Sequence, residues 1–226
     1  TIQDLKNIFL YMQKQKATNI NLVTPSHYIL QIKEALKEAK KEGLTLPIVY
    51  NSSGYDSVEG LKALDGLIDV YLVDMKYFND QYAIRYSKAN HYFEICKKAI
   101  QEMYRQTRPI QIKNGIMEKG VLVRHLLLPG LKEDSKKILS YLYHTYQDHI
   151  MISIMNQYTP TSSLKDMKEL NRTITKKEYE EVLAYALSLG IEQAFVQEDE
   201  TADESFIPDF SLESLKKDMN QIKDKI

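Results

Sequence analysis

Six short apolar runs, most followed by a stretch of helical periodicity, limit what this sequence can fold into. They are NINLVT (19–24), LPIVYN (46–51), DVYLVDM (69–75), VLVRHLLLPG (121–130), IMISIMNQY (150–158) and QAFVQ (193–197). The spacing of apolar residues predicts helices over 1–16, 28–42, 57–65, 89–106, 134–147 and 175–189. Near-continuous apolar strands alternating with helices suit a parallel sheet covered by helices, because such strands are buried on both faces. Thr1 can cap the first helix, with Asp4 close to the capping-box position and Ile2, Leu5, Ile8 and Phe9 at helical spacing. Gly43 and Gly190 mark helix ends, and Asn114-Gly115 marks a small hairpin within 108–120. No Gly-x-Gly-x-x-Gly follows the first strand, which argues against a dinucleotide-binding domain. The expectation is one α/β domain over 1–198, an open sheet or a partial (β/α) barrel. An acidic tail, 199–226, follows, with Leu212, Leu215, Met219, Ile222 and Ile226 at helical spacing.

The bulk properties narrow the partners. A formal net charge of -1 gives no electrostatic reason to expect nucleic acid or an anionic membrane. No apolar run is long enough for a membrane span, and no signal-peptide pattern opens the sequence. The single cysteine, Cys96, excludes an internal disulfide and a cysteine cluster within these residues, and it fits a reducing, cytoplasmic setting. With Phe93 and Ile100 at compatible spacing, Cys96 reads as core. TIQDL at the start reads as a helix already under way, as in the continuation of something longer.

The run VYLVDMKYF (70–78) poses the chemical question. Strand side chains alternate, so Leu72, Asp74 and Lys76 share one face while Val73, Met75 and Tyr77 share the other. Charges in so apolar a strand need each other, another counter-ion such as Arg124, or a ligand. Ligands of parallel α/β folds bind at the carboxyl ends of the strands, and polar residues collect there. These are Thr24, Ser26 and His27 after the first strand, Asn51, Ser52 and Ser53 after the second, Asp74 and Lys76 at the third, and Asn156, Gln157 and Tyr158 after the fifth. Asn51-Ser52-Ser53-Gly54 also reads simply as a turn. Together the strand-end groups favour a polar ligand bearing both an amine and a carboxylate.

NINLVTPSHY, LPIVYNSSGY, IDVYLVDMKY, VRHLLLPG and MNQYTP, in this order, resemble the radical S-adenosylmethionine (SAM) proteins related to pyruvate formate-lyase activating enzyme. The resemblance spans about residues 1–197 and implies a partial (β/α)6 barrel. In that family a [4Fe-4S] cluster, held by a Cys-x3-Cys-x2-Cys loop after the first strand, reductively cleaves SAM. The resulting 5′-deoxyadenosyl radical abstracts a hydrogen atom; in activating enzymes the target is a glycine of a partner glycyl-radical enzyme. By this likeness VTPSHY stands where the family binds the SAM amino group through Gly-Gly-Glu, with Ser26 and His27 in place of the glycines. Asn51 and Ser52 fall at the Asp-Thr-Asn-Gly turn, near SAM or a monovalent cation, with Asn51 replacing the aspartate. Asp74 and Lys76 match Asp-Leu-Lys and face the SAM site; Arg124 matches an arginine near the SAM carboxylate. Gln157 or Tyr158 takes the place of a family histidine. The cluster loop has no counterpart, so the expectation is a radical SAM body lacking its first strand and cluster loop and catalytically silent alone. The strand 19–24 then has an open edge. Two other readings stay open: a (β/α) barrel lyase or aldolase with Lys76 as Schiff-base lysine, and a non-catalytic SAM-binding or partner-docking scaffold with the tail as its arm.

Overall fold

In the computed structural model, which describes residues 1–160, 167–191 and 194–196, the apolar runs form strands. They are β1 (Ile20–Val23), β2 (Ile48–Ser52), β3 (Val70–Asp74), β5 (Ile116–Leu126), β6 (Met151–Met155) and β7 (Ala194–Val196), with a short β4 (Gln111–Lys113). Seven α-helices accompany them among the described residues: α1 (Ile2–Lys14), α2 (Ile29–Lys41), α3 (Val58–Ala63), α4 (Asp80–Ser87), α5 (Tyr92–Thr107), α6 (Lys132–Tyr146) and α7 (Lys176–Leu189). The strand order is β1-β2-β3-β5-β6-β7, and every neighbouring pair on this path is parallel. β4 returns antiparallel onto β5 through the expected Asn114-Gly115 turn, both residues having positive φ as a primed hairpin turn needs.

Because the order follows the sequence without reversing, right-handed crossovers place the helices on one face of the sheet. A doubly wound sheet would reverse near its middle and cover both faces. Burial agrees with the first arrangement. Ile20, Ile48, Tyr50, Tyr71, Val73, Val121, Val123 and Ile154 point to the helices and are almost wholly buried. Asn21, Asn51, Leu72, Arg124, Leu126, Ser153 and Met155 point the other way and keep solvent contact, and Val23 is 62% exposed. The fold is α/β, a partial TIM-like barrel with helices outside and a concave face inside. Among the described residues, β1 forms one edge of the sheet and pairs only with β2.

Local chemistry explains most helix ends. Thr1 and Asp4 form the expected capping box on α1, and Thr175 and Glu178 form one on α7. Glu178 also accepts hydrogen bonds from Arg172 and from the Gly130 amide, tying the loop after β5 to α7. These bonds, the Arg172 guanidinium foremost, hold the Glu178 carboxyl well below the usual carboxylate range. Helix α4 departs from the sequence reading, which has only a polar stretch there. It is capped by the Asn79 side chain; only Ala83 is fully buried, with Tyr82 and Tyr86 packed partly against the core, so its apolar stripe is short and made largely of polar-tipped rings. β5 begins at Ile116 rather than Val121, its first residues pairing with β4, and ends at Leu126. β6 ends at Met155, which leaves Asn156, Gln157 and Tyr158 in a loop. The tail 199–226 lies outside the described residues. No helix among the described residues is long and apolar enough to cross a membrane.

Candidate functional site

At the carboxyl ends of β2, β3 and β5 the inner face carries one connected polar group. Arg124 and Asp74 are register partners in the parallel pair β3–β5, so their side chains leave the sheet side by side. Arg124 Nε and Nη2 lie 2.8 and 2.7 Å from Asp74 Oδ1, and Nη2 also donates to Asn51 Oδ1 at 2.9 Å. Lys76 Nζ is 3.6 Å from Asp74 Oδ2. The guanidinium thus spans β2 to β3, and the lysine approaches the same carboxylate from beyond the strand end. Asp74 and Arg124 retain 20% and 27% of their side-chain exposure. Two cations share one carboxylate, leaving the group with unsatisfied positive charge on a concave, partly solvated surface. Such a surface suits a carboxylate ligand, which can accept from guanidinium and ammonium together.

The backbone under this group is fixed from the helix side. The Tyr92 hydroxyl, on α5, accepts from the Lys76 amide at 3.0 Å and directs its own proton toward the carbonyls of Ser53 (2.9 Å) and Asp74 (3.0 Å). Burial raises this phenol well above its ordinary value, so it stays a donor. Gly54 lets the β2 loop lie against the same place. A Cβ there would stand 2.4 Å from the Asp74 carbonyl oxygen and 2.6 Å from Cys96 Sγ, at φ +80°. Gly54→Ala is expected to destabilise the chain by about 2–4 kcal/mol, from backbone strain and overpacking. Urea titration of the two proteins measures the difference, and an unchanged midpoint would contradict the close approach.

The other residues singled out in the sequence are distributed differently. Thr24 stands in the left-handed region (φ 52°, ψ 51°) and donates its amide to the Asn51 carbonyl at 2.8 Å, which sets this turn against the polar group. His27 is exposed nearby, in the short 3₁₀ turn Pro25–Tyr28. Ser26 turns inward instead, donating to Asp56 at 2.6 Å. Ser52 belongs to the buried, helix-facing set, and its hydroxyl accepts the Gly54 amide at 3.3 Å, so it serves the turn. Tyr158 is buried and donates to the Leu170 carbonyl, away from the strand ends. Gln157 follows β6 and remains half-buried, its amide 4.0 Å from the Met155 sulfur. The structure therefore gathers Asn51, Asp74, Lys76 and Arg124, with the Thr24 turn beside them. Sequence reasoning missed Tyr92 and Asp56, which act from a distant helix and from a loop and carry no pattern of their own.

Cys96 is fully buried on α5, and burial pushes its thiol up to about 12. Among the described residues no three His, Cys, Asp or Glu side chains gather as a metal would need.

No family model matches the sequence. Over 177 residues the chain is 31% identical to the uncharacterised protein MJ0674 of Methanocaldococcus jannaschii. The match covers 77% of this chain and 47% of that protein, so the chain spans about half the length of the curated relative it matches. Among solved structures it is similar to a domain of pyruvate-formate lyase-activating enzyme from Bacteroides vulgatus (TM-score 0.58, 12% identity, 80% of this chain and 100% of that one). It is also similar to SuiB of Streptococcus suis bound to S-adenosylmethionine (TM-score 0.57, 8% identity, 92% of this chain and 46% of that one). At such identities the likeness is one of architecture: the chain has a radical SAM-like fold, a partial TIM-type barrel of mostly parallel strands.

Proposed function

We propose that this chain is the SAM-binding body of a radical SAM protein of the activating-enzyme kind, and that Asn51, Asp74, Lys76 and Arg124 hold the amino-acid end of SAM. The observation that carries the reading is the Arg124–Asp74–Lys76 group at the inner strand ends, with two cations to one carboxylate. Arg124 and Lys76 would receive the ligand carboxylate, and Asp74 would keep both cations in place. When bound beside a reduced cluster, SAM supplies a reductively cleavable sulfonium. The residues of this chain do not fit the cluster itself: the one cysteine is buried on the helix side, so three thiolates are not to be had here. A glycyl-radical enzyme or another peptide is the partner this reading assigns to the complete protein, in a reducing cytoplasm. The Schiff-base alternative is less well supported, because Lys76 is 39% exposed and beside a carboxylate rather than in an apolar pocket.

Calorimetric titration tests the reading. SAM is expected to bind, and decarboxylated SAM, which keeps the sulfonium and adenosine, to bind at least about tenfold more weakly for want of charged hydrogen bonds. Equal affinities would place the ligand elsewhere. The guanidinium also occupies the space beside the Asn51 side chain, and the resemblance puts SAM or a monovalent cation near Asn51 and Ser52. SAM affinity is accordingly expected to be the same in sodium, potassium and tetramethylammonium salts at equal ionic strength. A several-fold dependence on the cation would show that Arg124 does not take its place.

A further inference from the structure

Behind the turn that follows β1 lies a carboxylate that the binding group does not use. Asp56, in the loop after β2, is only 3% exposed. Its Oδ1 accepts from the Ser26 hydroxyl at 2.6 Å and from the Tyr50 hydroxyl at 2.8 Å, while Oδ2 has no hydrogen-bond partner. Tyr50 is wholly buried on β2, so Asp56 is anchored to the sheet on one side and to the turn on the other. The turn needs such an anchor. Thr24 is β-branched yet held at φ 52°, a conformation its Cβ disfavours, and its own side chain makes no capping hydrogen bond. Strain of this kind persists only where surrounding structure enforces it, and it gathers at ligand sites. Here the strained residue donates its amide to the carbonyl of Asn51, the residue whose side chain receives Arg124.

We infer that Asp56 is a positioning residue: through Ser26 it holds the strained Thr24 turn against the Asn51 corner, so that the backbone of this turn forms one wall of the ligand site. The inference rests on the reading of this mouth as a SAM site, but its mechanical part stands apart from the ligand. Ser26 then contributes no side-chain contact to the ligand, and the turn presents peptide groups, as a glycine-rich loop does.

The test compares Asp56→Ala, Asp56→Asn and Ser26→Ala with the wild-type chain by hydrogen exchange and by SAM titration. Asp56→Ala is expected to speed exchange of the amides of Thr24 and residues 26–28 selectively and to weaken SAM about tenfold, the scale of a displaced hydrogen-bonding wall. Asp56→Asn keeps an acceptor for both hydroxyls and is expected to restore both readouts to within about threefold. Ser26→Ala leaves the Tyr50–Asp56 bond intact and is expected to reproduce the loss, which keeps the test decisive where the alanine variant at 56 does not fold. Unchanged exchange over 24–28 in the Ser26→Ala protein overturns the inference. A wild-type chain that fails to bind SAM overturns the SAM reading instead, while the exchange data still decide whether Asp56 holds the turn.

Discussion

Replacing Arg124 by methionine is expected to raise the dissociation constant for SAM about a hundredfold, the loss that goes with deleting a pair of charged hydrogen bonds in a partly desolvated site. Arg124, unlike Lys76, does two things at once. It bridges Asn51 and Asp74 across two strands, and it leaves positive charge directed at the concave face. Methionine fills much the same volume, so the packing of the inner face is preserved while the charge goes. Arg124→Lys separates the two roles. It keeps the charge but cannot reach Asn51 and Asp74 with a planar fork, and a loss of about tenfold is expected. Asp74 keeps Lys76 as counter-ion in both variants, so folding is expected to survive. Calorimetry on the three proteins, with thermal melts as control, measures the series. Equal affinities across it would remove Arg124 from the site.

The second large effect concerns stability and pH. His125 follows Arg124 in β5 and therefore points to the opposite, helix-covered side, where it is completely buried. Its Nδ1 donates to the Met75 carbonyl at 2.8 Å, and Nε2 has no partner. Burial disfavours the imidazolium and lowers the pKa to about 4, against the hydrogen bond to Met75 and the field of Asp74, which act the other way. The unfolded chain, with an ordinary histidine, takes up this proton at higher pH than the folded one. Stability is therefore complete above the unfolded value of about 6.5 and falls as pH drops toward the folded value, by about 3 kcal/mol in all. Carboxylates with lowered pKa, such as Glu178, lose their contributions only at more acid pH, and Asp134, whose carboxyl pKa burial raises, gains stability as pH falls, so the loss between about 4.5 and 6.5 belongs to His125. His125→Asn can still donate to Met75 and does not titrate. Urea unfolding at stepped pH should show a sloping stability in the wild type and a nearly flat one in this variant. Parallel slopes would show that another group carries the dependence.

The alternation of apolar runs with helical periodicity carried the architecture, because strands that each lead into a covering helix have few other ways to pack, although the inner face stays partly solvated rather than buried as the apolar runs suggested. The period of two in VYLVDMKYF also gave the facing of the side chains in the candidate site. Asp74 and Lys76 do face inward while Val73, Met75 and Tyr77 face the helices, and the charges are paired with Arg124 and with each other. Residues past the strand ends were less legible. Ser26, Ser52 and Tyr158 lie beyond or at the last regular residue, where loop dihedrals rather than periodicity aim the side chain, and all three are engaged in hydrogen bonds within the protein. Helix α4 was hidden because it is only eight residues long and its inner side consists of Tyr82, Ala83 and Tyr86, small or polar-tipped side chains that read as a polar stretch. Tyr92 and Asp56 were invisible for another reason: each acts on backbone or hydroxyl groups remote in sequence, and pairings of that kind leave no trace in a single chain.

The most direct measurement is a crystal structure of this chain grown with SAM. The account predicts the methionine carboxylate within hydrogen-bonding distance of Arg124 and Lys76, beside Asn51, with the Thr24 turn lining the amino group. A ligand seated outside the inner face, or a carboxylate pointing away from Arg124, would contradict it.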